Sequence, residues 1–113
     1  MVDPTLWIEL DQRAARHRLP ERTLIALFDA AMGFRVRNQI YRAGVESSAD
    51  EELTDATARR DLTRLTELGL LEARGEKRGR YYVAGQELRE LRGAIVKFRA
   101  ARDDSDPFEG AGD

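Results

Sequence analysis

Two clusters of side chains in this sequence could do chemistry, and both are cationic. Between Thr54 and Leu68 the run TDATARRDLTRLTEL carries Thr57, Arg59, Arg60, Thr63 and Arg64. Guanidinium groups can bond guanine edges or phosphate oxygens in pairs, and threonine hydroxyls can reach either. Six residues further on, Arg74, Lys77, Arg78 and Arg80 stand within seven residues against the single acid Glu76, a local charge of +3 from Arg74 to Arg80. Such a segment suits contact with phosphate oxygens, and its affinity falls steeply with salt.

Other chemistries are poorly provided for. The chain has no cysteine and one histidine, His17, which excludes disulfides, thiolate metal sites and histidine-cluster metal centres. No phosphate-cradling glycine loop, nucleophile elbow or carboxylate pair on an ordered element is present. The expectation is a protein that is not an enzyme and needs no cofactor or metal. His17, flanked by Arg16 and Arg18, is expected on the exposed part of a helix.

The elements that must position the two clusters are legible from apolar spacing. Asp3-Pro4 opens a helix carrying Leu6, Trp7, Leu10 and Ala14 and ending near Arg18. A second helix runs from Pro20 to Met32, with Leu24, Leu27, Phe28 and Ala31 on one face and Gly33 as its terminator. Phe34–Arg42 reads as a short third helix stopped by Gly44, followed by an acidic loop, GVESSADEE. Thr54 caps the fourth helix, whose stripe of Ala58, Leu62, Leu65 and Gly69 faces the core. That stripe leaves Arg59, Arg60 and Thr63 toward solvent, with Arg64 at the edge. Leu70, Leu71 and Ala73, then Tyr81, Tyr82 and Val83, form two strands of a hairpin around GEKRG. A last helix spans about residues 86–102.

The order of helices followed by a hairpin predicts a mostly α fold with a small β-hairpin, a winged helix-turn-helix with additional N- and C-terminal helices. Its 113 residues make one domain over 1–102, with a core at 20–84, flanking helices at 4–18 and 86–102, and a disordered acidic tail at 103–113. In that frame Thr54–Leu68 is the recognition helix and Arg74–Arg80 the wing.

The run TARRDLTRLTELGLLEARG, with RNQIYRAGV at 37–45 upstream, resembles the winged helix-turn-helix at the C-terminal end of many Fic family proteins. TxRRDL is also similar to the recognition helix of DeoR-type repressors. The resemblance covers about Leu24 to Val83 and implies a DNA-binding or regulatory accessory domain, with Thr57, Arg59, Arg60 and Thr63 facing DNA. Asp61 is expected to be a helix-surface partner for Arg60 or Arg64. Two departures stand out. The insert ESSADEEL lengthens the turn before Thr54 by eight residues, placing Glu46, Asp50, Glu51 and Glu52 in a solvated loop or over the basic face. The Fic catalytic motif is absent, and the tail DPFEGAGD lacks its histidine.

These readings converge on double-stranded DNA as the partner and on a transcriptional regulator or regulatory module. The alternative is an interaction domain that kept the fold and lost DNA binding, favoured by the net charge of −2. The stripe Leu88, Leu91, Ile95 and Phe98 is expected to form a homodimer interface, in preference to packing on the first helix around Trp7. With no run of 18 apolar residues and no basic, apolar leader, the chain reads as soluble and cytoplasmic.

Overall fold

The computed structural model describes residues 4–49 and 51–104. The elements run α1 (Pro4–Arg16), α2 (Thr23–Ala31), α3 (Asn38–Ala49), α4 (Asp55–Glu67), β1 (Leu71–Arg74), a 3-10 turn at Lys77–Gly79, β2 (Tyr81–Ala84) and α5 (Gln86–Asp104). The fold is mostly helical with one two-stranded antiparallel sheet.

Helical spacing on each segment supplies one wall of a common core. Leu6, Leu10 and Ala14 of α1, Leu24 and Leu27 of α2, Tyr41 and Val45 of α3, and Ala58, Leu62 and Leu65 of α4 are all buried. The hairpin closes this core with Leu71 and Tyr82, in a register that pairs Leu71 with Ala84 and Ala73 with Tyr82. Leu70 is buried just before β1.

Several boundaries differ from those expected, each for a local reason. The Asp3 cap lies outside the described residues. At the other end of α1, Arg18 takes a left-handed φ of 57° and closes the helix two residues early. His17 sits half-buried in that turn rather than on an exposed helix. Pro20 does not open α2: its carbonyl accepts from the Thr23 amide at 3.0 Å and the Thr23 hydroxyl at 2.6 Å, making a turn that delays the helix to Thr23.

The third helix is displaced as a whole. Phe34–Arg37 is not helical, because Val36 exchanges two backbone hydrogen bonds with Tyr82, at 2.8 and 2.7 Å, and lies along the hairpin as a bridging residue. Helix α3 then continues through Gly44 to Ala49. Gly44 is a packing residue rather than a terminator: a Cβ there would come within 3.1 Å of Ile25 Cγ2 on α2. The supposed acidic loop is therefore largely helix, and Leu53, 2% exposed, anchors the short link that remains. Asp50 lies outside the described residues.

Helix α4 begins as its sequence requires. Thr54 has extended backbone and its Oγ1 accepts from the Thr57 amide at 3.1 Å, satisfying a free donor of the first turn. We expect Thr54→Ala to cost about 1 kcal/mol, read as a melting temperature lower by about 5 °C for a domain of this size. An unchanged melting curve would remove the cap from the account of α4.

Helix α5 packs across α1 and α2, tied to α1 by Arg13, whose Nε donates to Glu87 at 3.0 Å and whose Nη1 donates to Glu9 at 2.8 Å. This corrects the expected dimer stripe. Leu88 is fully buried and Leu91 is 8% exposed, both spent on the chain's own core, with Ile95 packed at its edge. The stripe packs within the chain, on α1 and α2, whereas Trp7 is exposed and faces Phe28 of α2, with ring centres 5.7 Å apart. The side chain of Phe98 lies outside the described residues. Asp103 and Asp104 belong to α5 rather than to the tail, and 105–113 lie outside the described residues.

Candidate nucleic-acid interface

The start of α3, the exposed side of α4 and the hairpin tip enclose an open groove of about 930 Å³. From α4 it receives Arg59 and Thr63, four residues apart and so stacked on one helical face with Asp55 above them. The hairpin contributes Lys77, Arg78 and Arg80 from the opposite wall. Arg37 and Arg42 enter from the beginning of α3.

The hairpin tip has the shape it does because of Gly75. Its φ is +72°, and a Cβ there would lie 2.6 Å from the Gly79 carbonyl oxygen, so the chain can turn this tightly only without a side chain. The turn is completed by the Gly79 amide donating to Glu76 at 2.9 Å and the Arg80 amide to Lys77 at 3.1 Å. The cations of Lys77, Arg78 and Arg80 are thereby crowded onto one short segment, and all are exposed.

The orientation of α4 is set from behind by a buried polar cluster. Asp61, 8% exposed, accepts from Arg22 through Oδ2 at 2.6 Å and Oδ1 at 3.1 Å, and from the Tyr41 hydroxyl at 2.7 Å. Arg22 also donates to Glu51 at 3.1 Å, which ties the α3–α4 link to the same point. The hydrogen bond to Asp61 holds the Arg22 guanidinium above its ordinary range. Burial, reinforced by that carboxylate, pushes the Tyr41 phenol up, in keeping with its role as donor to Asp61. Asp61 is thus not a surface partner of Arg60 or Arg64. Its ligands lie on α3 and just before α2, 20 and 39 residues away in sequence.

Of the nine expected contact residues, the groove gathers Arg59, Thr63, Lys77, Arg78 and Arg80. Thr57 is half-buried and engaged with Thr54, whose hydroxyl donates to it at 2.9 Å. Arg60 and Arg64 are exposed on α4 but turned away from the groove lining. Arg74 points elsewhere, 3.5 Å from Glu72. Arg37 and Arg42 were missed, since a segment read as Phe34–Arg42 helix gave no reason to aim its arginines at the hairpin. Arg42 also braces the site by donating from Nε to the Leu53 carbonyl at 3.0 Å.

Electrostatically the groove is one-sided. Among the described residues six cationic side chains line it and Asp55 is the one acid. Asp55 is paired with Arg59 at 2.7 Å, with 54% and 69% of the two side chains exposed, and an exposed pair of this kind is weak enough for a phosphate to displace. Among the described residues none of Lys77, Arg78 and Arg80 forms an ion pair. Like charges held this close repel, and an incoming polyanion relieves that repulsion.

No group of three or more potential metal ligands occurs among the described residues, and none of their helices is long and apolar enough to cross a membrane. Neither a family model, nor a curated protein, nor a solved structure matches the chain.

Proposed function

We propose that this chain is a winged helix-turn-helix domain that binds double-stranded DNA, with α4 lying in the major groove and the β1–β2 hairpin serving as its wing. Support for the fold reading comes from the element order: helix α2, the bridging residue Val36, helices α3 and α4, then the hairpin. The observation that carries the DNA reading is the groove that joins Arg37, Arg42, Arg59, Lys77, Arg78 and Arg80 around Asp55, the one acid among its described residues. A net charge of −2 on the whole chain is compatible with this, because phosphate responds to the local field within about a Debye length. The likeness of residues 57–71 to Fic-associated and DeoR-type recognition helices favours a cytoplasmic transcriptional regulator or a regulatory module of a Fic-type system. A homodimer in this reading cannot use Leu88 and Leu91; among the described residues the terminal helices leave Trp7, Ile8 and Val96 exposed.

The test is fluorescence anisotropy with a mixed pool of duplexes about two helical turns long, at low and moderate salt. Wild type should bind with a steep salt dependence. An Arg59→Ala/Lys77→Ala/Arg78→Ala variant should lose about three units of the slope of log affinity against log salt, at about 0.9 per phosphate. Absence of wild-type binding at low salt, or equal binding by the triple variant, would replace the DNA reading with that of a protein-interaction domain.

A further inference from the structure

The cationic surface does not stop at the groove. Val36 pairs with Tyr82, and both are buried, so their side chains occupy the core face of the hairpin. Strand alternation sends the neighbours Arg35, Arg37 and Tyr81 to the other face. There the Arg35 guanidinium carbon stands 4.7 Å from the centre of the Tyr81 ring and that of Arg37 5.8 Å from it. Both arginines are exposed, and among the described residues neither forms an ion pair. Stacking on an aromatic ring orients a guanidinium while leaving its in-plane N–H groups free to donate. Glu72 also lies on this face, by its register opposite Val83, but it is paired with Arg74 and Arg89, so the two oriented cations remain available to a divided anion such as neighbouring phosphates. Arg37 also lines the groove, so the two surfaces are continuous, whereas Arg35 lies wholly outside it.

We propose that Arg35, Arg37 and Tyr81 form a second contact with the DNA backbone, engaging phosphates beyond those the groove reaches. The proposal rests on the DNA-binding reading above. Tyr81 acts as the support that aims the two arginines and not as a base-stacking platform, because its ring is already engaged by them. A duplex is the polyanion that spans both surfaces, since its phosphates recur regularly along a stiff rod.

The experiment uses the full chain and the same duplex pool. Arg35→Gln, outside the groove, should lower the salt slope by about 0.9, one phosphate contact. Tyr81→Leu leaves the charge unchanged and should weaken binding about threefold, as expected for losing an exposed cation–π support, while Tyr81→Phe should bind as wild type does. Thermal melts of each variant establish that the fold is retained. If wild type binds and Arg35→Gln keeps the full slope, the second contact is wrong and the groove reading stands. Loss of slope in Arg35→Gln with undiminished binding by Tyr81→Leu would also overturn it, since the arginine would then act only as diffuse charge. If wild type does not bind duplex at all, both readings fall together.

Discussion

Asp61→Ala should lower the stability of the domain by about 3 kcal/mol, the low end of what removing one member of a buried ion pair costs. The carboxylate is 8% exposed and accepts three hydrogen bonds, two from Arg22 and one from Tyr41. Alanine would leave the Tyr41 hydroxyl without its acceptor in the core and the Arg22 guanidinium without its principal counter-charge. Arg22 retains 20% side-chain exposure, so it can recover part of its solvation, which is why the low end applies. Two milder variants give an internal scale. Asp61→Asn keeps an acceptor and should cost less, and Tyr41→Phe, which removes one donor only, should cost about 1 kcal/mol. Urea denaturation followed by circular dichroism reads the series. An Asp61→Ala midpoint within experimental error of wild type would mean that the cluster does not hold α4 in place.

Gly85→Ala should destabilise by a comparable or larger amount for a different reason. Gly85 joins β2 to α5, and its amide donates to the Leu70 carbonyl at 2.8 Å. A Cβ built there would lie 2.1 Å from the Gly69 carbonyl oxygen and 2.9 Å from the Leu70 carbonyl carbon. These are backbone atoms of the α4–β1 turn, so no rotamer change relieves the overlap; α5 or that turn has to move. Overpacking of well-filled sites costs about 1–3 kcal/mol and more where the backbone must shift. Gly93→Ala is the natural control. Gly93 is exposed within α5 with nothing within 4 Å of an added Cβ, and alanine there should stabilise by about 0.5–1 kcal/mol through helix propensity. The two substitutions make the same chemical change on either side of the start of one helix. A Gly85→Ala melting temperature at or above that of wild type would show that the close approach at Gly85 is relieved without cost.

Much of this architecture was legible because local rules acted without opposition. The cap at Thr54, the stripe Ala58, Leu62, Leu65 and the hairpin around GEKRG depend on neighbours within a few residues, and the structure keeps them. The segment 34–49 was misread where a local rule met a tertiary contact. Gly44 usually signals an ending, yet close packing against Ile25 explains it better, and Val36 left the helical pattern because Tyr82 offered it backbone hydrogen bonds. Leu88 and Leu91 showed an apolar stripe correctly, but periodicity does not say whether a stripe faces the same chain or another.

By itself the sequence determined which side chains are cationic, that α4 exposes Arg59 and Thr63 on one face, and that a tight basic hairpin follows it, since these depend on helical periodicity and on glycine in a turn. Only the tertiary structure decided that Arg37 and Arg42 share a groove with them, that Arg74 does not, and that Asp61 is buried under Arg22 and Tyr41. The physical reason is that such contacts join residues tens of positions apart, whose meeting depends on how α2, α3 and the hairpin pack around a shared core and leaves no periodic mark on the chain.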